Sequence, residues 1–463
     1  MQTIIFRYRS KIQAPAQLVF DWHTREGAIH RLTPPWMGLR VSGSGGIREG
    51  QKVLMKIKIP FLPFRRKWIA EHTDFKFGRE FTDIQRKGPF SFWKHIHRIT
   101  PDPDDESVCT MEDEVQYRLP LASLSHKMLK NWMDEQLRRS FAYRHRVLAH
   151  DMALIQGYPL KRKRILVSGT RGLLGSALVP FLQTAGHDVV RLVRHPSQRN
   201  NEIYINPDSG FINEFQLEGV DAVIHLSGEN IGRRWTSKRK KRILESRQVM
   251  TQQLAEALAG LKRKPDVLIT ASGTGIYRES FVKAHTEDGP PDATFLADVV
   301  KVWEQSAKPT RDAGIRVIHA RFGIILSMRG GALKKMLPAF RVGFGGKIGR
   351  GNQYMSWIAL DDAVAALYHL LYQNVVTGPI NVVAPKAEPN RSFTRQLGKA
   401  LARPAVFSIP EPVIRFLFGE MGEETLLKSI HAKPQRLLNQ SFSFQYPTLL
   451  KALRHLLGAK GSY

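Results

Sequence analysis

An apolar strand that runs through three spaced glycines into a helix constrains this chain more than any other feature. It reads Ile165-Leu166-Val167-Ser168-Gly169-Thr170-Arg171-Gly172-Leu173-Leu174-Gly175. In such a Gly-x-x-Gly-x-x-Gly turn the first glycine permits a tight exit from the strand. The second lets backbone approach a pyrophosphate, and the third lets the helix pack close to the sheet. The helix N-terminus offers free N–H groups and its positive dipole end to the phosphates. The pattern predicts a dinucleotide site built on Gly169, Thr170, Arg171, Gly172, Leu174 and Gly175.

The next strand selects the cofactor. Folds that hold NAD place Asp or Glu at the carboxyl end of the second strand, on the ribose hydroxyls. Here the strand ends Arg191-Leu192-Val193-Arg194-His195-Pro196, without a carboxylate, and Asp188 stands at its opening. Arg194, helped by Arg171, suits a 2′-phosphate through charge-assisted, bidentate contact. The expected cofactor is NADP(H).

At 463 residues the chain exceeds one hydrophobic core, so several domains are expected. From 163 to 389 strands and helices alternate, the signature of a Rossmann-type, doubly wound parallel α/β sheet. The pattern places strands over 164–168, 188–193, 222–226, 267–271, 316–321 and 380–383. Helices fall over 173–185, 239–258, 296–313 and 361–373. Residues 390–463 form a small helical extension broken by Pro404, Pro410, Pro412 and Pro434. Residues 1–155 differ. Alternating runs at 4–12, 52–59, 67–72, 79–86, 92–99 and 108–117 read as strands, with a proline-led helix at 15–28 and helical spacing over 121–154. A curved antiparallel sheet around one long helix buries both faces most simply.

The net charge of +29 favours anionic partners. The basic residues are scattered, however, apart from Lys161–Arg164 and Lys238–Arg242, and no nucleic-acid-binding motif accompanies them. Nucleic acid is therefore not an expected partner, while peripheral contact with an anionic membrane stays open. A single cysteine, Cys109, excludes an internal disulfide framework and fits a reducing compartment. No signal-peptide pattern or long apolar run is present, so the expected location is cytoplasmic.

The glycine spacing and Asp221-Ala222-Val223-Ile224-His225-Leu226-Ser227-Gly228 resemble the extended short-chain dehydrogenase/reductase superfamily. Several segments narrow the match: Gly228-Glu229-Asn230-Ile231, Arg234-Trp235-Thr236, Trp303-Glu304, the run Arg321 to Leu326 and the run Gly343 to Gly349. Together they resemble an atypical, epimerase-like family that ends in a domain of unknown function. The tail motifs Pro434-x-Arg436-Leu437-Leu438 and Phe442-x-Phe444-x-Tyr446-Pro447 are similar to that domain. The resemblance implies cofactor contacts from Ser227, Gly228 and Glu229, and a substrate that is unassigned. Thr33-Pro34-Pro35-Trp36, Gly88-Pro89-Phe90-x-Phe92-Trp93-x-His95-x-His97 and Phe141-x-Tyr143-Arg144-His145 resemble START-like, polyketide-cyclase-like (SRPBCC) domains. These imply a helix-grip fold and a hydrophobic small ligand.

The superfamily's oxidoreductase chemistry uses Tyr-x-x-x-Lys plus a Ser or Thr; the Lys lowers the Tyr pKa for proton exchange while hydride moves. Ser272 matches the Ser. Aligned on Glu304, the Tyr and Lys positions hold Leu296 and Val300, and Lys301 is turned aside by about 100°. Tyr277 is the candidate substitute from another loop. Two readings follow: an NADP-dependent oxidoreductase or epimerase working without the usual pair, or a non-catalytic NADP-binding protein coupled to a hydrophobic-ligand domain. His95 and His97 share one face of a strand, with His72 or Asp83 as a conceivable third ligand. Spacing fixes none, so no metal is assigned. Trp36, Trp68, Trp93 and Phe90 are candidates for lining a cavity.

Overall fold

The computed structural model describes residues 3–43, 46–58, 64–119 and 126–459. Ile59 and residues 121–125, the ends of two predicted elements, lie outside these. Two compact units divide the described chain, one over Met1–Arg162 with Pro180–His187, the other over Lys163–Val179 and Asp188–Ala459.

The first unit comprises β1 (Ile4–Ile12), α1 (Ala16–Thr24), α2 (Ala28–Leu32), β2 (Arg40–Ser42), β3 (Lys52–Lys58), β4 (Arg65–Lys76), β5 (Glu80–Lys87), β6 (Phe92–Pro101), β7 (Cys109–Arg118) and α3 (His126–Gln156). The seven strands form one antiparallel sheet in the order β1-β7-β6-β5-β4-β3-β2. One sheet face meets α3: Met133, Leu137 and Phe141 pack with Phe6, Met55, Trp68, Trp93 and Val115. Farther along, Leu148, Met152 and Ile155 pack with Phe20 and Trp22 of α1. The helix expected over 15–28 is two helices, because Gly27 takes φ +98°, a left-handed conformation that interrupts the turn.

The second unit begins with β8 (Arg164–Ser168), α4 (Gly175–Thr184), β9 (Asp188–Val193), β10 (Glu202–Asn206), β11 (Phe211–Ile212), α5 (Glu214–Leu217), β12 (Ala222–His225), α6 (Ser237–Gly260) and β13 (Val267–Gly273). It continues through α7 (Phe295–Gln305), α8 (Lys308–Asp312), β14 (Arg316–Phe322), β15 (Ile324–Leu326), α9 (Gly331–Arg341), β16 (Gly346–Ile348), β17 (Tyr354–Met355), β18 (Trp357–Ala359), α10 (Leu360–Tyr372) and β19 (Gly378–Val382). The main sheet has the order β11-β10-β9-β8-β12-β13-β14-β19, parallel except for β11. This is a Rossmann-like sheet. Sequence pattern had missed β10, whose polar ends hide two inward residues, Ile203 and Ile205.

Helix α6 shows how the layers form. Thr236 caps it by accepting Arg239 N–H. Met250, Leu254 and Leu258, at helical spacing, then bury against Leu166, Val223 and Leu268 of the sheet. Each such side chain contributes about 1.5–3 kcal/mol on burial. The single helix expected over 296–313 is α7 and α8, with Pro309 in the first turn of α8, where a missing N–H costs little. Residues beyond 390 share a core with the α/β part: Phe393, Leu397, Tyr446, Leu449 and Leu453 pack with Leu333, Leu337 and Trp357. They fall within the second unit. No helix among the described residues is long and apolar enough to cross a membrane.

Candidate functional site

Strand order reverses between β8 and β12, so their carboxyl-end loops diverge and leave a crevice, the usual nucleotide position in open α/β sheets. The glycine turn forms one wall. Gly169 takes φ +67°, and a Cβ there would stand 2.7 Å from the Leu226 carbonyl. At Gly175 a Cβ would meet Gly169 O at 2.4 Å and Thr170 Cα at 2.8 Å. These two glycines are demanded by the fold itself. Gly172 differs: its N–H donates to Gly169 O at 2.9 Å, and a Cβ would meet only that oxygen, at 3.1 Å. It therefore leaves a cradle that a side chain would fill. The Leu174 side chain is buried, so Leu174 can offer a ligand only its backbone.

The opposite wall is pinned from beneath by a pair that the sequence reading did not single out. Leu226 N and Ser227 N donate to Ser168 Oγ at 3.0 and 3.2 Å. With both acceptor sites used, the Ser168 hydroxyl donates to His225 Nδ1, 2.8 Å away. His225 must then accept there, as a neutral ring. Burial favours that state and pushes its pKa down to about 4.

At the carboxyl end of β9, Arg194 is exposed and Arg171 reaches across from the glycine turn, its Nη2 2.8 Å from His195 Nε2. Basic groups from two loops thus meet where an adenosine ribose would lie. Glu202, on the neighbouring β10, is engaged by Ser197 Oγ at 2.6 Å. The donor set fits a phosphorylated ribose.

Beyond β12, Glu229 pairs with Arg239 Nη2 at 3.0 Å, and its backbone N–H donates to Ser246 Oγ. Arg247 donates to Glu229 O at 3.1 Å and lies over the Trp303 ring; burial pushes its pKa down to about 10. The basic run at the start of α6 therefore has structural work: Arg239 neutralises Glu229, and Lys240 pairs with Glu420 at 2.7 Å.

Ser272 and Tyr277 fall into one polar network. Ser272 Oγ donates to Glu304 Oε1 at 2.7 Å, and Arg321 clamps the same carboxylate with two bonds of 2.7 Å. Arg321 Nη1 also donates to the Tyr277 hydroxyl at 2.9 Å, which in turn donates to Asn381 Oδ1 at 2.7 Å. Tyr277 is fully buried, and burial raises its pKa. Its hydroxyl is held inside the network. Leu296 packs with Trp235 and Ile243, and Val300 with Ile276 and Tyr277, so both positions are apolar core. Lys301 points elsewhere, pairing with Asp298. Glu304 joins strands to helix through Arg321, a partner that the spacing did not reveal.

In the first unit a cavity of about 150 Å³ is lined by Trp68, Trp93, Met55 and Phe141, with His72, Asp83, His95 and His97 among its polar walls. Trp36 instead packs against Tyr143, and Phe90 against Trp68 and Trp93.

Residues 165–383 match the NAD dependent epimerase/dehydratase family, and residues 409–456 match the domain of unknown function DUF1731. An epimerase family protein of Mycobacterium bovis is 38% identical over 62% of this chain and 96% of its own length. A nucleoside-diphosphate sugar epimerase structure from Corynebacterium glutamicum is 30% identical, with TM-score 0.79, across 98% of this chain and 90% of that one. The human epimerase family protein SDR39U1, solved with NADPH, is 34% identical with TM-score 0.59, covering 64% of this chain and 99% of that one. With this family match and a relative 38% identical over 96% of its own length, the chain belongs to the NAD dependent epimerase/dehydratase family.

Proposed function

We propose that the crevice binds NADP(H) and that the chain is an epimerase-like oxidoreductase that does not use a Tyr-Lys pair. The observation that carries this reading is the contact of Arg171 with His195 at the end of β9, next in the chain to the exposed Arg194. The human relative solved with NADPH supports it. Bound there, the cofactor supplies a hydride donor or acceptor at its nicotinamide. The chain's own residues then divide the work: Gly172 admits the pyrophosphate, the two arginines neutralise the ribose phosphate, and the Ser168–His225 pin holds the loop that carries Ser227 and Gly228. Ser272, its proton held on Glu304, keeps lone pairs for a substrate hydroxyl, so the proton exchanged in catalysis comes from substrate or water. Removing one charge-assisted contact by Arg194→Ala or Arg171→Ala costs about 1.5–3 kcal/mol. NADPH binding should weaken about 10–100-fold while NADH binding holds. Equal NADPH affinity in both variants and wild type would overturn the assignment.

The apolar Leu296 and Val300 favour a second reading, NADP binding without turnover, paired with a first unit of helix-grip type that captures an apolar small molecule in its cavity. Incubation with NADPH and a panel of carbonyl compounds separates the two. Oxidation of NADPH supports the enzyme; tight binding without oxidation supports the binding protein.

A further inference from the structure

The first unit contains imidazoles and carboxylates that the crevice does not use. His72 of β4, Asp83 of β5, and His95 and His97 of β6 all line the cavity. Cross-strand register sets His72 opposite Asp83, and Asp83 opposite His95. The two-residue period of the strand carries His97 to the same face. His95 Nδ1 lies 3.3 Å, and His97 Nε2 3.5 Å, from Asp83 Oδ2. The ligand atoms of all three residues lie within 4.8 Å of one another. Around a tetrahedral ion bound at about 2.0–2.1 Å, neighbouring ligand atoms stand about 3.3–3.5 Å apart. The separations of Asp83 from the two histidines are those of such a shell.

The far side of the His95 ring is oriented as in metal-bound histidines. His95 Nε2 hydrogen-bonds Asp113 Oδ1 at 2.8 Å, while His97 Nδ1, 2.7 Å from the same oxygen, makes no hydrogen bond to it. Asp113 Oδ2 is 2.6 Å from His145 Nε2, whose Nδ1 is 2.6 Å from Ser10 Oγ. A neutral imidazole has one N–H. With the His95 N–H turned to Asp113, the nitrogen facing Asp83 offers its lone pair to a cation held beside that carboxylate. Close by, buried His72 has no hydrogen-bond partner at Nδ1.

We propose that Asp83, His95 and His97 bind a divalent transition-metal ion of the zinc or ferrous iron class at the polar end of the apolar cavity. Imidazole and carboxylate ligands suit such ions. The fourth position is filled by His72 or by an oxygen of the cavity's ligand, so an apolar molecule with an oxygen-bearing head is the class that fits. Spacing alone assigned no metal because no third ligand was fixed; the fold supplies Asp83.

The test uses full-length protein stripped with a chelator, then titrated with Co²⁺, and with Zn²⁺ against a chromophoric competitor. One ion per chain is expected, with visible ligand-field bands for Co²⁺. Asp83→Asn should lose at least about 100-fold in affinity, and the positioning variant Asp113→Asn about 10–100-fold. Nitrogen NMR of the wild-type imidazoles provides a readout that does not depend on either variant folding: His95 Nδ1 and His97 Nε2 should shift on Zn²⁺ addition. Absence of stoichiometric uptake, unshifted ring nitrogens, or equal uptake by folded Asp83→Asn (an adventitious ion only) each overturns the proposal.

Discussion

Alanine at Gly175 and alanine at Gly172 should fail in different ways, which tests whether the roles assigned to the turn are right. At Gly175 the added methyl would sit 2.4 Å from Gly169 O and 2.8 Å from Thr170 Cα, both backbone atoms that cannot swing aside. Overpacking of that kind costs about 1–3 kcal/mol. At Gly172 the same methyl meets only Gly169 O, at 3.1 Å, which a small shift relieves. The expected stability cost there is within about 0.5 kcal/mol. Yet that methyl stands where the pyrophosphate meets backbone. Losing one charge-assisted bond, worth about 1.5–3 kcal/mol, weakens NADPH binding about 10–100-fold. Urea denaturation followed by circular dichroism gives the first quantity, and NADPH fluorescence titration gives the second. A Gly172→Ala protein that unfolds early yet binds NADPH like wild type would refute the assignment.

Three further outcomes follow from buried polar groups. Glu304→Ala leaves Arg321 buried without its carboxylate, and should cost about 3–5 kcal/mol in a denaturation experiment; a loss below about 1 kcal/mol contradicts the network. Tyr277→Phe removes bonds to Asn381 and Arg321 and should cost about 1–3 kcal/mol, with NADPH affinity unchanged; a large affinity loss would return Tyr277 to the cofactor site. For His225, held near 4 against an ordinary 6.5, the unfolded chain protonates first as pH falls. Its stabilisation is therefore complete above about pH 6.5 and drains toward pH 4, by at most about 3 kcal/mol. His225→Asn keeps an acceptor for Ser168 but does not titrate. A stability difference between wild type and this variant that stays flat across that window rejects the pin.

The glycine turn and the second strand were legible because each is a local pattern: an apolar run, three glycines at fixed spacing, and a strand end without a carboxylate. The parallel, doubly wound class of the main sheet followed from the alternation of strands and helices. What stayed hidden was contact between distant segments. Arg321 reaches Glu304 across 17 positions, Asn381 reaches Tyr277 across 104, and Ser168 meets His225 across 57. No periodicity announces such pairs. Breaks caused by single residues were also lost: Gly27 reads as helix by its neighbours, and Pro309 reads as an interior fault when it is the first turn of a new helix. The histidine pair was visible as a pair. Only the β5–β6 register places Asp83 beside it.

The account rests on the preference for a phosphorylated ribose, and calorimetric titration of the purified chain with NADPH and with NADH tests it most directly. Two arginines beside the ribose predict NADPH binding tighter by about 10–100-fold, a gap of about 1.4–2.8 kcal/mol that shrinks as salt rises. Equal affinities, or tighter NADH, would contradict it.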